Sequence, residues 1–120
     1  MKSLVLVFLG GGLGSVLRFL VSTYTSKLGS VGAFPLGTFT VNIIGCYLIG
    51  LFSVFFLKEP GAKYFLIGGF CGGFTTFSAF ASETTSLMQN SQMSIALLYV
   101  LLSVLVGILA VYLGMYTVKS

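Results

Sequence analysis

Four apolar runs, at 4–25, 37–57, 64–88 and 95–116, take up most of a chain of 120 residues, and each is about 20 residues long or slightly longer. That length carries an α-helix across a hydrocarbon core about 30 Å thick. A segment in lipid must satisfy its backbone polar groups internally, so the runs dictate an all-α fold. The expected protomer is a single integral membrane domain over residues 1–120 with four transmembrane helices, and the lipid bilayer is its solvent. The first run does not read as a secretory leader. Its apolar residues continue past the glycines from Val16 to Val21, and no small-x-small cleavage pattern closes a short core.

What little polar material remains excludes most catalysis. The chain is 57% hydrophobic and 7% charged, has no histidine, and carries only two carboxylates, Glu59 and Glu83. Acid/base pairs, carboxylate-rich metal sites and histidine-based triads all lack their parts, so an enzyme is not expected. Nor is a nucleic-acid partner. Cys46 and Cys71 lie inside apolar runs and read as buried spare thiols.

The third run cannot be a plain helix. Its stretch 68–80, GGFCGGFTTFSAF, holds glycines at 68, 69, 72 and 73, two adjacent threonines and a serine, with phenylalanines at 70, 74, 77 and 80. Such a composition weakens the backbone ladder, and irregular backbone at membrane depth is tolerated only where it is buried in protein or lines a wet cavity. A glycine-interrupted span therefore predicts a broken third helix at a binding or conduction site.

The other runs supply polar faces. Thr38, Asn42 and Cys46 fall at i, i+4 and i+8 beside Gly45, and Tyr99 and Ser103 share a face of the fourth run. Asn42 is either interhelical glue or part of a site, because an unpartnered amide in mid-membrane is costly. Gly10 and Gly14, and Gly107 and Gly114, suit close helix packing. Arg18 must line a vestibule or snorkel. Glu83, Thr84, Thr85 and Ser86 predict that the third run emerges into water there, ahead of a polar turn at 89–94.

An even number of spans puts both termini on one side, with the linker around Lys58 and Lys63. Lys2, Lys58, Lys63 and Lys119 fall there, against Lys27 and Arg18 opposite. The positive-inside rule favours cytoplasmic termini, but so shallow a bias predicts a chain able to insert both ways.

Collected, Thr38, Asn42, Thr75, Thr76, Ser78, Tyr99 and Ser103 form a set of uncharged donors. Donors without formal negative charge favour an anion or a neutral solute over a metal cation. Phe77 and Phe80 flank Ser78, and their rings either pack or offer positive edges to the same path. Polar faces on three helices of so small a protomer call for a second subunit to cover them.

Three blocks, GGGLGSVLR at 10–18, GTFTVNIIGCYLIG at 37–50 and GGFCGGFTTFSAF at 68–80, resemble the signature blocks of the Fluc (CrcB) fluoride channels. The resemblance implies an antiparallel, dual-topology homodimer in the bacterial inner membrane, with two fluoride pores and a structural sodium ion at the dimer interface. By motif position Asn42 is the pore asparagine and Phe77 and Phe80 are the pore phenylalanines. Gly72 and Thr75 give backbone carbonyls to sodium. Ser78, Thr38, Tyr99 and Ser103 line the pore, and Arg18 and Glu83 sit at its vestibules. Ala79 departs from the family pattern, where threonine is common, and Cys46 stands where serine is frequent. The implied function is passive, fluoride-selective export that lowers cytoplasmic fluoride. A small dual-topology multidrug exporter also has four spans but needs a membrane carboxylate that the first helix lacks. A non-transporting assembly protein would explain the glycines but not the hydroxyls on three helices.

Overall fold

The computed structural model describes residues 1–28, 34–55 and 60–119, and the chain there is helical almost throughout. Helix α1 is Lys2–Leu28, α2 is Leu36–Phe55, α5 is Phe77–Gln89 and α6 is Met93–Lys119. Between α2 and α5 run a single turn α3 (Pro60–Ala62), a π-helical segment Lys63–Cys71 and a last turn α4 (Gly72–Phe74). Among the described residues, four helical stretches are long and apolar enough to cross a membrane, the third being Lys63–Gln89. The end of the expected second span at 56–57, together with Gly29, Gly32, Lys58 and Glu59, lies outside the described residues.

Two backbone-on-backbone contacts assemble these helices. In the first, α1 runs along the π segment and α4. A Cβ on Gly10 would collide with the carbonyl of Phe65, and one on Gly14 with that of Phe70. From the other side, a Cβ on Gly69 would lie 2.8 Å from the Val7 carbonyl oxygen, and one on Gly73 would strike the Gly11 carbonyl. In the second contact α2 lies on α6, where Gly50 faces the Val111 carbonyl and Gly114 faces the Tyr47 carbonyl. Without a hydrophobic force between helices in lipid, such close approach is what van der Waals association requires.

The glycines of the third span therefore divide by role. Gly69 and Gly73 face α1, while Gly68 and Gly72 are exposed, and an added methyl there would meet nothing nearer than 3.7 and 3.8 Å, respectively. The departure from helix comes just after these glycines. Gly72 and Gly73 are helical, and the non-helical residues are Thr75 and Thr76.

Helices α5 and α6 are joined by a tight turn. The Gln92 N–H reaches back to the Leu87 carbonyl at 2.8 Å, and Ser91 adopts a φ of 61°. This is the six-to-one closure of a helix C-terminus, with serine where glycine is usual. Beside it a small core forms from Leu87, Ala96 and Tyr99, with Phe34, Phe39, Phe80 and Ile95 packed around it.

Candidate functional site

Thr75 (φ −89°, ψ 159°) and Thr76 (φ −149°, ψ 119°) are extended, and they separate α4 from α5. Thr76 is the N-cap of α5: its hydroxyl accepts from the Ala79 N–H at 3.2 Å, as threonine does before a first helical turn. Its backbone is held from α2. The Thr76 N–H donates to Asn42 Oδ1 at 2.8 Å, and Asn42 Nδ2 donates to the Thr76 carbonyl at 3.1 Å. Helix α2 can come this near because Gly45 abuts Thr75, whose methyl a Cβ at Gly45 would strike.

Following each backbone group across this junction shows what the extension frees. In an unbroken helix the Thr76 N–H would bond the Gly72 carbonyl, but here it is spent on Asn42. The Ala79 N–H, helical donor to the Thr75 carbonyl, is spent on the Thr76 hydroxyl. The Gly73 carbonyl receives Nε of Arg18 from α1 at 3.0 Å. Cys71 keeps its helical bond from the Thr75 N–H and adds the Thr75 hydroxyl at 2.9 Å. Arg18 thus reaches the C-terminal end of α4, where a cation is favoured.

Against this junction lies a groove of about 300 Å³, lined by Asn42, Cys46, Thr75, Thr76, Phe77, Phe80 and Ser103, with Ile49 and Val104. Asn42, Phe77, Phe80 and Ser103, expected along one path, do meet here. Phe77 is 78% exposed. The rings of Phe77 and Phe80 stand 5.8 Å apart at 47°, and Phe80 leans on Tyr99 at 5.0 Å. Ser78 is exposed and bonded to the Thr76 hydroxyl at 3.1 Å.

Thr38, Tyr99 and Glu83 form a separate cluster. The Thr38 hydroxyl donates to Glu83 Oε2 at 2.8 Å and the Tyr99 hydroxyl to Oε1 at 3.0 Å. Thr38 and Tyr99 are not among the residues that line this groove, and their hydroxyls meet on the half-buried Glu83. The reason is local: a carboxylate in an apolar span is stabilised where two hydroxyls converge on it, and Tyr99 offers its own from a fully buried position. Among the described residues no buried side-chain polar atom lacks a hydrogen bond.

Sequence reasoning gave Thr76 no part in holding the junction. The signal was present, because a threonine ahead of an apolar helical run is an N-cap pattern. The tie between Glu83 and the second and fourth spans had no sequence signal, since the three residues are far apart in the chain.

Residues 5–115 match the family described as CrcB-like protein, Camphor Resistance (CrcB). The chain is 47% identical, over its whole length and 99% of the relative, to a fluoride-specific ion channel FluC from Flavobacterium psychrophilum. It is 44% identical to a protein of the same name from Phocaeicola vulgatus, covering 97% of this chain and 98% of the relative. A FluC from Azobacteroides pseudotrichonymphae is 43% identical over 95% of this chain and 94% of its own length.

Proposed function

The chain belongs to the CrcB-like protein family, and from that premise we propose that it is a fluoride-selective ion channel of a bacterial membrane, letting fluoride run passively outward and so lowering its cytoplasmic level. Its full-length relatives carry the name fluoride-specific ion channel. The observation that carries the reading in this chain is the groove, which brings an amide from α2, hydroxyls and two phenylalanine rings from the span Lys63–Gln89, and a hydroxyl from α6 together. Fluoride is small and strongly hydrated, so a pore must replace its water with close donors, and uncharged donors do so without trapping the ion. Asn42 and Ser103 would be donors, Phe77 and Phe80 would present ring edges, and Ser78 would extend the path. Glu83, tied to Thr38 and Tyr99, would mark one end and Arg18 the approach to the junction.

The groove is open along one side of the protomer, and a second copy would close it. An exposed Phe77 and an exposed Gly72 on that span favour a homodimer, in which an isologous pairing gives two equivalent paths. The shallow lysine bias favours an antiparallel arrangement with dual topology, and the extended Thr75–Thr76 pair would serve as the break of the third helix at its interface. The carbonyls of Gly72 and Thr75, deprived of their helical donors, suit a hard cation such as sodium. Bound there, sodium would offset the cost of bringing an anion into a low-dielectric interior. Reconstitution into liposomes with a fluoride electrode tests the reading: efflux above that of empty liposomes is expected, and its absence would refute it.

A further inference from the structure

Two side chains from neighbouring helices take up the backbone groups that an intact third helix would use itself. Asn42 on α2 holds both polar groups of Thr76, at 2.8 and 3.1 Å, and Arg18 on α1 holds the Gly73 carbonyl at 3.0 Å. The Gly73 carbonyl precedes the extended pair, and the Thr76 groups belong to it. If Asn42 Oδ1 were removed, the Thr76 N–H would have no partner unless it returned to Gly72. If Arg18 Nε were removed, the Gly73 carbonyl would have none unless it took back the Phe77 N–H. These groups are half-buried, and a donor or acceptor shielded from water is costly without a partner, so the two side chains bias which peptide leaves the helix.

We infer that Asn42 and Arg18 are positioning residues that clasp the junction open, Asn42 through its Oδ1 acceptor and Arg18 through its Nε donor. Asn42 then has two separable chemistries. Its oxygen holds the Thr76 N–H, and its nitrogen keeps a second hydrogen beyond the one given to the Thr76 carbonyl, on a residue that lines the groove. The sequence pattern does not separate the two, because an asparagine at a pore position reads as a ligand to the solute. Glycines alone do not explain the junction either, since Gly72 and Gly73 stay helical and it is the next two residues that extend. The inference stands on these hydrogen bonds and does not depend on which ion the groove passes.

The test is amide hydrogen exchange over residues 72–79 in the full-length protein in detergent, comparing wild type with Asn42→Ala, Asn42→Asp and Arg18→Met, each first shown to be folded and monodisperse. Asn42→Asp keeps the acceptor and loses the donor. Exchange at 75–77 should be about tenfold faster in Asn42→Ala, the effect of losing one buried hydrogen bond, and close to wild type in Asn42→Asp. Arg18→Met should alter exchange at 77–78 and leave the α6 amides unchanged. Wild-type exchange in Asn42→Ala, or equal disturbance in Asn42→Ala and Asn42→Asp, would overturn the clasp. Fluoride efflux on the same samples separates the two conclusions. Wild-type protein that passes no fluoride refutes the channel reading, while the exchange pattern decides the clasp independently.

Discussion

Tyr99, which has no exposed surface, gives its phenolic proton to Glu83 at 3.0 Å while Thr38 gives its own to the other carboxylate oxygen at 2.8 Å. A lone carboxylate on a membrane span is thereby bound to the second and fourth spans. Removing one hydroxyl should cost about 1–3 kcal/mol, because it leaves one oxygen of a half-buried acceptor unsatisfied. Tyr99→Phe and Thr38→Val should each lower the thermal stability of the purified protein, and the double variant should lose less than the sum. Additive losses would mean that the two hydroxyls do not share one acceptor.

Phe77 and Phe80 should separate packing from conduction. Phe77 is 78% exposed, whereas Phe80 packs on Tyr99 at a ring distance of 5.0 Å. Phe77→Ile should suppress fluoride flux with little change in melting temperature, and Phe80→Ile should reduce both, the stability loss being about 1 kcal/mol. Wild-type flux in both variants would return the two rings to a packing role.

The glycine contacts predict a sharp positional contrast. Gly14→Ala and Gly73→Ala press a methyl into the backbone of the facing helix, and overpacking of that kind costs about 1–3 kcal/mol. Gly12→Ala meets nothing within 4 Å and should be neutral. Recovery of folded protein and its melting temperature check this order, and equal tolerance at positions 12, 14 and 73 would contradict it.

These contacts also show what could be read from the residues in order. Four spans follow from apolar length, and the Gly10–Gly14 pairing follows from small residues one turn apart. Helical spacing put Asn42, the Phe77–Phe80 pair and Ser103 each on a definite face of its own span, and the fold brings those faces to one groove. The position of the interruption was not, since glycine content marks weak helix but the outcome is decided by partners, Asn42 and Arg18, that come from other helices. The bonds of Glu83 to Thr38 and Tyr99 were hidden for the same reason. Proximity to a polar tract suggested solvent, and only the fold brings Thr38 and Tyr99 to it.

Sodium should support both assembly and flux. Replacing it with a large organic cation is expected to lower dimer retention on size exclusion and to slow fluoride efflux. Gly72→Ala should not disturb the lone protomer, because a Cβ there meets only the Ile67 carbonyl oxygen at 3.8 Å. Its effect should appear as a loss of dimer. Equal dimer and flux in both cations would remove the cation from the account.

Dual topology has its own readout. A cysteine introduced at the C-terminus of a Cys46→Ala, Cys71→Ala background should be labelled by an impermeant reagent from both faces of the membrane, in comparable amounts. Labelling from one face only would contradict an antiparallel pair.

The most direct test of the channel itself is paired efflux from liposomes loaded with fluoride or chloride, with a potassium ionophore supplying the counter-current. Fluoride should leave protein-containing liposomes rapidly while chloride stays at the level of protein-free liposomes. Chloride leaving as fast as fluoride, or neither ion leaving, would contradict a fluoride-selective channel.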